Sequence, residues 1–76
     1  MLVTFSGKRL RDARKLKKLS QADMADLSGT TVRYVRALER GERENPSAIL
    51  VCRFSLVLDV DMGDLMEAHA ESGEQQ

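Results

Sequence analysis

Between Ser20 and Gly41 the chain carries two short helix-favouring stretches joined at one glycine, Gly29. Two helices that cross steeply through a tight turn need a residue that tolerates positive φ at the turn, and Gly29 supplies it. Four residues earlier the first helix needs a small side chain so that the second can approach, and Ala25 stands there. Apolar residues must then lock the pair. Met24 precedes the turn, and Val35 and Leu38 follow it one helical turn apart. Several residue types at fixed positions are far more specific than a lone glycine. The spacing predicts a crossed helix pair from about Gln21 to Arg40.

Caps and periodicity place three more helices around this pair. Ser6 is the candidate N-cap of the first, with Phe5 and Leu10 at the spacing of a hydrophobic staple. Leu10, Ala13, Arg14 and Lys17 share one face of it. Ser20 caps the second helix, with Asp23 at the capping-box position, and Thr31 caps the third, which Gly41 ends. Pro46 suits the first turn of a fourth helix behind Asn45 as cap, running to about Leu58. Asp61 caps a short fifth helix through about Ala68. No strand is predicted; Val3-Thr4-Phe5 is a weak candidate for pairing across a dimer. The expectation is an all-α, compact five-helix domain over residues 1–68, followed by an acidic, disordered tail over 69–76.

Twelve Lys and Arg balance twelve Asp and Glu, but they are not evenly spread. Residues 1–43 carry eleven basic and five acidic side chains, and residues 44–76 carry one basic and seven acidic. Such a split reads either as one half that faces a polyanion or as a solvated helix face that happens to be basic. One cysteine, Cys52, and one histidine, His69, build neither a disulfide framework nor a four-ligand zinc site. No nucleophile–base pair and no phosphate loop are present, so an enzyme is not expected, nor a cofactor or metal. The opening residues lack the basic and apolar regions of a signal peptide, and the longest apolar run, Ala48 to Cys52, is too short for a membrane. A cytoplasmic location is expected.

Ser20-Gln21-x-x-Met24-Ala25, then Gly29, then Val35-x-x-Leu38-Glu39-Arg40-Gly41, then Asn45-Pro46-Ser47 resemble the Cro/repressor type (XRE family) of helix-turn-helix DNA-binding proteins. The resemblance covers about Gly7 to Leu65, and Gly29-Thr30-Thr31 is a turn also seen in phage repressors of this group. The family includes lambdoid phage repressors, restriction-modification controller proteins and the antitoxins of kinase-type toxin pairs. The resemblance implies a lambda-repressor-like fold. It implies a small transcriptional regulator, a repressor or autoregulator, that reads a palindromic operator in double-stranded DNA as a homodimer. The alternative is an antitoxin that holds a toxin protein and autoregulates its operon. It implies a recognition helix at about Thr31–Glu39, with Val32, Arg33, Arg36 and Ala37 entering the major groove. Gln21 corresponds to a phosphate-bonding residue, and Arg14 and Glu39 to a buried ion pair.

The residues support these roles unevenly. Arg33, near the start of its helix, can bond guanine O6 and N7 bidentately or contact a phosphate, and Arg36 can do either. Val32 offers only apolar contact, for instance to a thymine methyl, and Ala37 is too small to read much. Gln21 sits at a helix N-terminus, where anions are favoured. Tyr34, Arg40 and Arg43 are candidates for phosphate, with surface packing the alternative for Tyr34. Lys8, Lys17 and Lys18 read as ordinary solvated lysines. Ser28 and Thr30 stand beside the turn glycine where apolar residues are usual, Lys18 stands where glycine often ends the first helix, and the loop from Gly41 to Pro46 is one residue longer than the common form. In the fourth helix Val51, Phe54, Ser55 and Leu58 make an inward stripe. Ile49, Cys52 and Leu56 make a second one, either a wide core or a dimer interface supplemented by Leu65 or Met66. Such a dimer would present two recognition helices about 34–36 Å apart.

Overall fold

A computed structural model describes residues 1–70; most of the expected acidic tail, Glu71 to Gln76, lies outside them. The element order is β1 (Leu2–Phe5), α1 (Gly7–Leu16), α2 (Gln21–Ser28), α3 (Val32–Arg40), α4 (Ala48–Leu58), a 3-10 turn at Met62–Leu65 and β2 (Met66–His69). Each α-helix begins where a hydroxyl accepts the N–H three residues on, satisfying one of the orphan donors of the first turn. Ser6 takes Arg9 N–H at 3.1 Å, Ser20 takes Asp23 N–H at 2.9 Å, Thr31 takes Tyr34 N–H at 3.1 Å and Ser47 takes Leu50 N–H at 3.1 Å. The expected cap Asn45 is displaced by Ser47, and Pro46 stays outside α4.

The helix ends are equally uniform. In each, an N–H closes back five residues, and the residue before it is left-handed. Leu19 bonds Arg14 O at 3.1 Å, Thr30 bonds Ala25 O at 2.9 Å, Glu42 bonds Ala37 O at 2.9 Å and Val60 bonds Ser55 O at 3.1 Å. Glycine fills two of the left-handed positions, Gly29 at φ 74° and Gly41 at φ 79°, while Lys18 at φ 59° and Asp59 at φ 58° fill the others.

Leu10, Met24, Ala25, Val35, Leu38, Val51, Phe54, Leu58 and Leu65 form one buried core. Phe5 packs on Phe54 with ring centroids 6.4 Å apart. The inward stripe of α4 is buried as its periodicity predicts, and Ser55 is satisfied there by donating to Cys52 O at 2.7 Å. Ala25, 2% exposed, gives α3 its close approach. Gly7 does the same for α1. A Cβ there would stand 1.9 Å from Leu38 O, so the first turn of α1 rests directly on the backbone of α3.

The fifth helix is not formed. Asp61 starts only a 3-10 turn, and Leu65 then plunges into the core, fully buried. Beyond it the chain extends and pairs antiparallel with β1, Leu2 opposite His69 and Phe5 opposite Met66. Ser6 N–H to Leu65 O at 2.8 Å and Arg9 Nη1 to Met66 O at 2.9 Å fasten the junction. The domain is therefore mostly helical with a small two-stranded sheet. Val3-Thr4-Phe5 finds its partner within the chain, and His69, placed at the start of the tail by the sequence, lies in β2 with Nε2 2.9 Å from Thr4 Oγ1.

Candidate nucleic-acid interface

α2 and α3 cross through Gly29-Thr30-Thr31, with Val35 and Leu38 of α3 buried against Met24 and Ala25 of α2. Locking those positions inward fixes what α3 shows to solvent. Arg33, Arg36 and Arg40 recur at i, i+3 and i+7 and are all exposed, forming one arginine ridge with half-buried Ala37 beside it. Val32 is half-buried and packs against the core, so only part of its side chain is presented. Arg40 stands 3.9 Å from Glu42, an exposed pair with little hold on it.

Shallow recesses flank the ridge. On one side the loop after α3 folds back and lays the Arg43 guanidinium over the Tyr34 ring, 5.5 Å from its centroid. Thr31, Arg33, Ala37 and Glu42 complete that recess. The sequence names Tyr34 and Arg43 separately; their contact depends on the loop path, which no local pattern encodes. On the other side Arg11, Lys15 and Arg40 surround a floor made of Arg14, Gln21 and Glu39.

That floor is a closed network. Arg14 donates from Nε to Glu39 Oε2 at 2.7 Å, from Nη2 to Glu39 Oε1 at 3.0 Å and from Nη1 to Leu19 O at 2.8 Å. Gln21 Nε2 donates to Glu39 Oε1 at 2.9 Å. The Arg14 and Glu39 side chains are 10% and 4% exposed, so the pair is buried and bidentate. The hydrogen bonds it donates to Glu39 hold the Arg14 guanidinium above its ordinary pKa, against the opposing effect of burial. Gln21 is thus tied into the scaffold through its side chain, which leaves its N–H at the start of α2 as its direct offer to an anion.

This crossed pair with a positively charged outer face is the arrangement of a helix-turn-helix. The chain belongs to the helix-turn-helix family. Its sequence matches that family over residues 10–65. The HTH-type transcriptional regulator SinR of Bacillus subtilis (strain 168) is 32% identical over 66 residues, 87% of this chain and 60% of SinR. The chain thus spans about 60% of the length of that relative. The solved structure of SinR in complex with DNA superposes with a TM-score of 0.75 at 34% identity, over 78% of this chain and 97% of that one. The restriction-modification controller protein C.AhdI from Aeromonas hydrophila gives a TM-score of 0.73 at 41% identity, over 78% of this chain and 88% of that one. The same fold occurs inside a larger enzyme, hydroxypropylphosphonic acid epoxidase from S. wedmorenis. There the TM-score is 0.74 at 31% identity, over 80% of this chain but only 32% of the enzyme.

Among the described residues no three His, Cys, Asp or Glu side chains are grouped to hold a metal ion, and no helix is long and apolar enough to cross a membrane. The outer stripe of α4 is open: Ile49 is 67% and Leu56 76% exposed, with Cys52 exposed between them. Of the two residues expected to supplement it, Leu65 is committed to the core and Met66 is half-buried in β2.

Proposed function

We propose that this chain is the DNA-binding unit of a cytoplasmic transcriptional regulator and that α3 is its reading head. The observation that carries this is the exposed ridge of Arg33, Arg36 and Arg40 on a helix whose opposite face is locked into the core. Arg33 and Arg36 read base edges, Val32 and Ala37 add close apolar contact, and Tyr34, Arg40, Arg43 and the start of α2 at Gln21 hold phosphates. Arg14 and Glu39 hold the scaffold and read nothing. The solved DNA complex of SinR, a protein similar over most of this chain, supports DNA as the partner.

One helix offers too few readers for tight specificity. Two copies pair through Ile49, Cys52 and Leu56 of α4 and read a palindrome. Monomer alone at tens of micromolar and on DNA refutes the pairing. Selecting bound sites from random duplexes, with affinity measured at two salt concentrations, tests the function itself. An enriched palindrome is expected; a steep salt slope without any motif would reduce the chain to a phosphate binder.

A further inference from the structure

The recess between α1, α2 and α3 has no role in sequence reading, yet its chemistry is specific. Glu39, the acid on its floor, has both oxygens engaged by Arg14 and Gln21, so its charge is matched inside the network. What remains is the rim: Arg11 and Lys15, one turn apart on α1, and Arg40 from the ridge, which is paired only with exposed Glu42 at 3.9 Å. Arg11 and Lys15 are exposed, and among the described residues neither forms a close ion pair, whereas Lys8 on the same face of α1 is held by Asp12 at 2.8 Å. The first residue of α2, Gln21, also lines the recess, so the positive end of that helix opens into it. A helix seated in the major groove, about 12 Å wide, has a sugar–phosphate backbone on each flank. The Tyr34–Arg43 recess lies on one flank of α3, and this second recess lies on the other.

We propose that Arg11 and Lys15 are DNA-backbone ligands. They and Arg40 grip phosphodiester groups on the α1 side while the Tyr34–Arg43 recess takes the opposite strand. The inference rests on the DNA-binding reading above and assigns α1 a direct part in it. Each strand is held by its own recess, which sets the tilt of α3 in the groove without naming a base.

The test compares the wild-type chain, R11A/K15A and K17A/K18G on the selected duplex across a series of salt concentrations. The two double variants remove equal charge, the second from the end of α1 outside the recess. R11A/K15A is expected to bind more weakly and to flatten the slope of log K against log salt by about 1.8, two phosphate contacts, with the preferred sequence unchanged. The K17A/K18G control should change the slope by less than half as much. An unchanged slope in R11A/K15A overturns the proposal while leaving DNA binding intact. Equal flattening in the control also overturns it, because the cations then act as a general field. No wild-type binding at low salt overturns this inference together with the functional reading beneath it. The fold is not at risk in R11A/K15A, since both side chains are exposed, and an unchanged melting curve verifies this.

Discussion

Replacing Glu39 by glutamine keeps the shape of the side chain and removes its charge. Three donors converge on the two carboxylate oxygens: Arg14 Nε at 2.7 Å, Arg14 Nη2 at 3.0 Å and Gln21 Nε2 at 2.9 Å. A carboxamide has one acceptor oxygen, so in either orientation its NH2 faces a donor. Arg14, 10% exposed, would also lose its counterion. Breaking a buried pair in this way costs about 3–5 kcal/mol, against under ~1 kcal/mol for a surface pair. In a domain of this size each kcal/mol moves the melting temperature by about 4–8 °C, so Glu39→Gln should melt at least ~12 °C below wild type. Circular dichroism melts measure it. Because Glu39 raises the pKa of Arg14, this stabilisation is present below the ordinary arginine pKa and is lost only as pH climbs past the raised value. The gap between the two melting temperatures on the Arg14 side should therefore be the same at pH 7 and pH 9. A fall of under ~4 °C would refute the buried-scaffold assignment. Intact stability with an altered base preference would refute it in the other direction, making Glu39 a reader.

Three further substitutions test the packing around the reading head. Gly7→Ala brings a Cβ to 1.9 Å from Leu38 O; helix propensity alone predicts a gain of up to ~1 kcal/mol, whereas the contact predicts a loss of about 3 kcal/mol or more, read by denaturant unfolding. Lys18→Gly relieves a left-handed lysine at φ 59° and should stabilise by about 0.5–1 kcal/mol in the same assay. The Ser28 hydroxyl is buried without a hydrogen-bond partner, so Ser28→Ala should leave stability unchanged or raise it by about 1 kcal/mol; a clear loss would mean the hydroxyl is satisfied in solution.

What could be read from the sequence was what neighbouring residues decide. Ser6, Ser20 and Thr31 announce their helices because a cap acts over three residues, and Gly29 announces the turn because only its own φ is at stake. Arg14 and Glu39 were legible only through the family pattern, since 25 residues separate them. The sheet was not legible. Met66-Glu67-Ala68 favours a helix locally, and it becomes a strand only because Leu2–Phe5, more than sixty residues away in the chain, offers an edge beside the buried Leu65. The same limit hid the engagement of Gln21 by Glu39 and the stacking of Arg43 on Tyr34, both set by tertiary placement. Asn45 and Ser47 were each able to cap α4, and the hydroxyl nearer the helix prevailed.

The central claim is that α3 reads base sequence, and Arg33→Ala on two duplexes tests it most directly. Affinity for the selected operator and for a scrambled duplex would be measured in the same salt. Removing a bidentate arginine–guanine contact should shrink the ratio of the two by about 1–3 kcal/mol, roughly 5- to 150-fold, and relax the preference at one base pair in each half-site. An unchanged ratio, with both affinities falling together, would make Arg33 a phosphate contact and contradict α3 as the reading head.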